Sequence, residues 1–385
     1  MDVDTDTTAR RAVITAEALD DLLKALTDAG YRPVGPVVRD GAIVLDTLGS
    51  AADLPHGRGT ETGPGHYRLT ERADGAVFGH STGPQSRKQY LHPARRKLWS
   101  ADRDPASGDF VPTPAAGDRV RYAFIGVRPC DLAAIRVLNH ALRRGANPDG
   151  PFIVAVECGE PGATCFCVST GTGPGCADSG DGYDLALTEL TGHSGHAGHA
   201  GHRFLVTVGT ERGGAVLDAV PHTPASQAAV VTAQRIVAEA RGRMGRTLPE
   251  TDLRVLLARS SEAEHWNDVA SRCLTCGNCT MVCPTCFCTS VEDTTDLTGD
   301  HAERWESWDS CFDIDYSSIH GGPIRTSAAS RYRQWLTHKF STWHDQFGSS
   351  GCVGCGRCIA WCPVGIDVTE ELAALHTESD AGAAR

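Results

Sequence analysis

Sixteen cysteines lie in 385 residues, and six of them fall within the sixteen-residue stretch 273–288, "CLTCGNCTMVCPTCFC". Written as spacings, Cys273, Cys276, Cys279 and Cys283 precede Pro284, and Cys352, Cys355, Cys358 and Cys362 precede Pro363. Both runs read C-x2-C-x2-C-x3-C-P, with Gly277 and Gly356 directly after the second Cys. Three thiolates two residues apart come from one tight loop and can each hold an iron of a cubane. The fourth departs on the following segment and reaches the other cluster. The spacing predicts two [4Fe–4S] clusters, one on Cys273, Cys276, Cys279 and Cys362, the other on Cys352, Cys355, Cys358 and Cys283. The glycines are expected to let backbone pass close to inorganic sulfide, with N–H groups turned toward the sulfurs. Zinc is the competing metal, but zinc ribbons use paired C-x2-C knuckles rather than a triple followed by C-P.

A second set lies far upstream. Cys130 sits in "GVRPCDLAA", between a strand and a helix, Cys158 ends the next strand, and Cys165 and Cys167 follow in "PGATCFCVS". Strand ends converge on one sheet edge, so these four could hold a third [4Fe–4S] cluster, although their spacing matches no standard motif. Buried free thiols, a redox role or zinc remain open. A helix-start position should lower the Cys130 pKa. Cys176 is a weaker candidate. Sixty-eight residues separate Cys283 from Cys352 and contain Cys286, Cys288 and Cys311, which could ligate a further metal or pack as thiols near the clusters. "TCFC" occurs at both 164–167 and 285–288, which suggests similar work for the two pairs.

Other motifs are weaker. "STGTGPG" at 169–175 lacks the Lys of a P-loop and reads as a loop. No G-x-G-x-x-G is present, so no bound nucleotide or flavin is expected. "GHSGHAGHAGH" at 192–202 carries four His among flexible residues, and a surface loop is a simpler reading than a metal tract. His301, His338 and His344 read as surface or packing residues.

The elements that must position these groups follow from periodicity. "AEALDDLLKALTDAG" is a helix ending at Gly30, and "PVGPVVRDGAIVLDTL" is a hairpin turning at Asp40-Gly41. Residues 51–118 are rich in Gly, Pro, Asp and Arg and are expected to be mostly irregular. "RVRYAFIGVRP", "CDLAAIRVLNHAL" and "PFIVAVEC" form a strand–helix–strand unit and hence a parallel pair. "HRFLVTVGT" is a strand, about 222–246 a long helix, and helices are expected at "EAEHWNDVASRC", 325–346 and "GIDVTEELAAL". The expected architecture is an α/β N-terminal domain over 1–250 and an α+β dicluster ferredoxin-like C-terminal domain over 251–385 with a helical insertion at 289–346.

A net charge of −12 argues against nucleic acid as the main partner. No run of about 18 apolar residues spans a membrane, and the acidic start lacks the apolar core of a secretion signal. A cytoplasmic location is expected, where thiols serve as metal ligands rather than disulfides.

The segments "GVRPCDLAAI", "TCFCVSTGTGP", "GYDLALTEL", "CLTCGNCTMVCPTCFCTSVED", "WDSC", "HKF" and "GCVGCGRCIAWCPVGID" together resemble the beta subunit of cytosolic sulfhydrogenases, the group 3 NAD(P)-linked nickel–iron hydrogenases. The chain is more distantly similar to the ferredoxin-like subunit of anaerobic sulfite reductase. The resemblance covers about residues 120–380; the His-rich loop and acidic start depart from it. It implies an electron-transfer subunit without substrate chemistry of its own, placed between the small and large subunits of the hydrogenase and a flavin/NAD(P)-binding subunit. The alternatives are a sulfite reductase or related flavin-linked complex and, from another class, a redox-sensing iron–sulfur protein. No output module for a sensor is evident.

Overall fold

The computed structural model describes residues 10–115, 120–143, 150–179, 182–190 and 202–383. The strands of the two larger sheets and of the β4–β5 hairpin are, in chain order, β1 Arg11–Thr15, β2 Arg32–Arg39, β3 Ala42–Thr47, β4 Arg58–Gly63, β5 His66–Glu71, β6 Arg95–Arg103, β7 Phe110–Pro114, β8 Tyr122–Val127, β9 Phe152–Val156, β10 Leu185–Leu190, β11 Arg203–Val208, β12 Thr223–Pro224, β13 Thr289–Thr295 and β14 His301–Trp308. Eight of them make one sheet in the order β12-β1-β11-β10-β9-β8-β2-β3. Its centre is parallel: β8 pairs with β2 and with β9, and β10 with β9. The β8–β9 pair is parallel because the chain returns through a crossover helix, Pro129–Ala141, after β8. β8 and β9 are apolar almost throughout, as strands covered on both faces must be. One face packs on the helix Ala18–Asp28, whose Leu19, Leu22, Leu23 and Leu26 are buried against Ile14, Val154 and Leu187.

The hairpin at Asp40-Gly41, the helix Ala18–Asp28 and the strand–helix–strand unit lie where periodicity put them. The expectation for 51–118 was wrong. That stretch holds the β4–β5 hairpin and strands β6 and β7. Its polar residues hide the pattern because neither hairpin buries a full face. The insertion is also not purely helical. It opens with β13 and β14, and β14 pairs with β6, giving a four-stranded sheet β13-β14-β6-β7 that ties the insertion to the N-terminal region. Helices Ala328–Thr337 and Trp343–Phe347 follow, joined by the π-turn His338–Thr342. The closing helix runs Val368–Ala383, longer than "GIDVTEELAAL" indicated.

A second core gathers Trp266, Phe312, Tyr332, Trp335, Leu336 and Leu372 under the C-terminal cysteine loops. Phe166, between Cys165 and Cys167, is fully buried in this core. The two regions thus share packing at the "TCFC" loop. The β4–β5 hairpin adds to the junction: Gly65 N–H donates to Ile359 O at 3.0 Å, and Tyr67 lies against Trp361 with ring centroids 4.9 Å apart.

Candidate metal centres

The two ferredoxin-type loops fold alike. In each, the second-Cys-plus-one glycine takes a left-handed backbone, φ 71° at Gly277 and 74° at Gly356, and starts a short helix, Asn278–Met281 or Arg357–Ala360. The expected reason for glycine was clearance for sulfide. The structure supplies a different one at Gly356: a Cβ there would stand 2.4 Å from Thr164 O, in the N-terminal region, whereas at Gly277 it would meet the Ser310 hydroxyl at 3.0 Å. Backbone donors do face the sulfurs. Thr275 N–H donates to Cys273 Sγ at 3.4 Å, the equivalent Gly354 N–H to Cys352 Sγ at 3.4 Å, and Ile366 N–H to Cys362 Sγ at 3.3 Å.

Cys273, Cys276, Cys279 and Cys362 line one cavity, walled by Phe312, Tyr332 and Trp335. Cys352, Cys355 and Cys358 face one another and Cys283. Each run therefore sends its fourth thiol to the other's first three. Cys130, Cys158, Cys165 and Cys167 line a second cavity, at the carboxyl ends of β8 and β9, closed by Pro161, Pro174 and Cys355. Ligands of open α/β sheets gather at that edge. The glycine-rich 169–175 segment is a loop, as expected, and folds back over this set: Thr172 N–H donates to Cys167 O at 3.0 Å and Cys158 N–H to Pro174 O at 3.1 Å.

Burial raises several of the thiol pKa values: Cys165 and Cys352 are pushed up to about 12, and Cys130, Cys279 and Cys358 well above the usual range. The expectation of a lowered Cys130 pKa fails, because burial, with Asp131, Cys167 and Cys355 nearby, outweighs the helix start. A bound metal cation would hold such thiols as thiolates. Among the described residues no three cysteine sulfurs lie within 4.8 Å of one another. A single zinc with bonds of about 2.3 Å would draw them closer. Thiol quartets with backbone N–H groups aimed at sulfur fit iron–sulfur clusters.

At the junction, Asp131 of the "RPCD" segment is 2% exposed and receives bonds from Arg87 Nη1 (2.8 Å) and Arg357 Nη1 (2.7 Å). Two guanidinium groups and one carboxylate leave one net positive charge between Cys130 and Cys355. Periodicity gave no hint of this triad; Arg357 lies inside the "CGRC" run and Asp131 beside Cys130, and that adjacency was the available signal.

The remaining thiols lie outside the two cavities. Cys286 shares a hydrogen bond with Cys283, whose pKa is lowered by that bond and by Lys339, while the same bond and burial raise that of Cys286. Cys311 faces Cys288, and burial pushes it up to about 12. Cys176 is buried apart from the quartet, its N–H donating to Glu157 Oε2 at 2.7 Å. Of the His-rich tract, His193, His196 and His199 lie outside the described residues. His202 is not on a surface loop: it is buried, with Nδ1 at 3.3 Å from Glu189 Oε1 and Nε2 at 2.6 Å from Asp74 O. His301 pairs with Asp102 and His338 packs on Trp343, consistent with surface and packing roles. One trio of close donors, His265, Asp268 and Glu371, is already bridged by Arg272, which bonds both carboxylates.

These loops define an iron–sulfur protein, and residues 272–366 match the family model described as a 4Fe-4S dicluster domain. The chain is 30% identical over 266 residues to Sulfhydrogenase 2 subunit beta of Pyrococcus furiosus, an alignment covering 64% of this chain and 72% of that protein. The chain belongs to the family of sulfhydrogenase beta subunits. No solved structure matches it significantly. Among the described residues no helix is long and apolar enough to cross a membrane.

Proposed function

We propose that this chain is the iron–sulfur electron-transfer subunit of a cytoplasmic nickel–iron hydrogenase, passing single electrons between the hydrogenase small subunit and an NAD(P)H-linked flavin subunit. The supporting observation is that the three thiol quartets stand in a row. Cys355 of the middle set lines the cavity of the N-terminal set, with Cys165 Sγ 3.8 Å from Cys355 O, and Cys358 of the middle set lines the cavity of the third. We read these as two [4Fe–4S] clusters with crossed ligation and a third on Cys130, Cys158, Cys165 and Cys167. A [4Fe–4S] cluster, when bound, accepts and releases one electron at a time. The residues supply the rest: Phe312, Tyr332, Trp335 and Phe166 keep water out, backbone N–H groups favour the charged sulfurs, and the Arg87–Asp131–Arg357 triad fixes the first two quartets against each other.

The row has an exposed end. Cys276 is exposed beside Leu274 (61%) and Val364 (40%), so a partner can approach there. Division near residue 250 into an α/β part and a dicluster part belongs to the same reading. The similarity to a sulfhydrogenase beta subunit favours this complex over a sulfite reductase or a sensor.

The test is anaerobic purification of the full chain with its co-expressed partners. The expected material is brown, holds about twelve irons per chain for three four-iron clusters, and co-purifies with a flavoprotein. A colourless chain holding zinc alone, or one that purifies without a flavoprotein, overturns the proposal.

A further inference from the structure

Lysine is scarce in this chain: four occur among 36 Lys and Arg. Lys24 and Lys97 pair with Asp28 and Glu303. Lys88 and Lys339 do not, and each is only 4% exposed. Among the described residues no ion pair joins either to a carboxylate. A buried ammonium with no counter-ion is a costly arrangement. What both ammonium groups face instead is sulfur: Cys283, Cys286 and Cys352 around Lys339, and Cys286, Cys283 and Cys288 around Lys88.

The backbone is shaped to place Lys339 there. It lies in the π-turn His338–Thr342, a wide turn of the kind that often marks functional positions, with Lys339, Phe340 and Ser341 all buried. Its carbonyl accepts from Gly351 N–H at 2.8 Å. Its Nζ donates to Thr285 Oγ1 at 2.9 Å and Gly351 O at 3.1 Å, and Thr285 Oγ1 lies 3.2 Å from Cys283 Sγ. Lys88 Nζ, 3.8 Å from the centroid of the Trp308 ring, donates to Cys286 O at 3.2 Å. Two buried lysines thus flank Cys283, Lys339 held by Thr285 and Gly351 and Lys88 by Cys286 O and the Trp308 face; burial lowers the Lys88 pKa, so Lys339 is the principal charge. Around Cys273, Cys276, Cys279 and Cys362 the arrangement differs. Arg331 faces Cys273 but is only half-buried and donates to Phe312 O. Arg357 faces Cys130 and Cys355 and so adds charge beside the middle quartet, but it shares that charge with Asp131, whereas among the described residues Lys339 has no carboxylate partner.

We propose that Lys339, seconded by Lys88, is a positioning residue of charge that raises the reduction potential of the group held by Cys283, Cys352, Cys355 and Cys358 above that of the group held by Cys273, Cys276, Cys279 and Cys362. The inference rests on reading these quartets as cluster ligands. Reduction brings one electron, from the flavin-linked donor or from dithionite in the test; it adds one negative charge, breaks no bond and moves no proton. A fixed buried ammonium favours the more negative state, so the middle quartet is where an electron resides.

The test is a dithionite redox titration, followed by EPR, of the full chain loaded anaerobically with iron and sulfide. The middle-quartet signal is identified as the one altered in Cys352→Ser. At the potential where this signal is half reduced in the parent chain, Lys339→Gln is expected to lower the reduced-to-oxidised ratio at least tenfold, about 59 mV for a one-electron couple. Lys339→Arg is expected to keep the ratio within about twofold, and the other signals do not move. An unchanged ratio in Lys339→Gln with full iron content overturns the inference. Should that variant fail to load iron, Lys88→Gln decides: a several-fold drop supports the inference and no change overturns it. Absence of the middle signal in the parent chain overturns the cluster assignment instead.

Discussion

The two ferredoxin-type loops and the N-terminal thiol set solve one problem by different means. In the loops, three sulfurs come from seven consecutive residues, 273–279 and 352–358, and the chain's own N–H groups face them. In the N-terminal set the sulfurs come from the start of a helix, the end of β9 and the loop beyond it, so β8, β9 and the crossover helix must pair before the four can meet. Cys355 then closes that cavity from the other region. Local chain geometry builds three corners of the first kind of site, with the fourth sent over from the other run, whereas the second kind needs a completed fold for every corner.

That contrast can be broken most forcefully at the junction. Asp131→Ala leaves Arg87 and Arg357 buried as like charges without their carboxylate, and is expected to cost about 3–5 kcal/mol. A thermal melt of the iron-loaded chain checks it, and a Tm within a degree or two of the parent would mean the triad does not hold the regions together. Next in size, Cys165→Ser should lower bound iron from about twelve to about eight per chain and leave the ferredoxin-type signals in place. Loss of all iron would instead show that the loops depend on the N-terminal set.

The glycines sharpen the comparison between the two loops themselves. Gly356→Ala drives a methyl to 2.4 Å from the backbone oxygen of Thr164 and is expected to cost about 2–3 kcal/mol, while Gly277→Ala meets the Ser310 side chain less closely, at 3.0 Å, and should cost about 1 kcal/mol. Urea melts of the two variants give the ranking, and equal costs would remove the asymmetry. The smallest effect is at His202. Its bond to Glu189 raises its pKa, so the folded chain holds the proton more tightly than the unfolded one. The stabilisation is full below about pH 6.5 and is lost as pH rises through the folded value. His202→Gln should therefore lower stability by about 1 kcal/mol at pH 5.5 and by less at pH 8; a pH-independent difference in Tm would contradict this.

Much of the fold was legible where periodicity is strong, as in Ala18–Asp28, the β2–β3 hairpin and the β8–helix–β9 unit. It was illegible in 51–118, because β6 finds its partner in β14, about two hundred residues away, and its exposed polar face carries no alternation. The same long-range pairing hid the strands of the insertion. Among the candidate ligands, the eight in the two C-P runs were grouped from spacing, and the structure brings Cys362 to the cavity of Cys273, Cys276 and Cys279. Cys130, Cys158, Cys165 and Cys167 were suggested by strand ends, and the lowered pKa expected at Cys130 was wrong because a helix-end effect is small beside complete burial.

By itself, the sequence determined which thiols stand close enough along the chain to share a cubane, since the reach of two intervening residues is set by backbone geometry. Only the tertiary structure decided that the N-terminal four meet, that Asp131 neutralises one of two buried arginines, and that Lys339 and Lys88 are turned inward onto Cys283. Burial and charge partners depend on segments far apart in the chain, and no spacing rule records what the folded solvent boundary leaves inside.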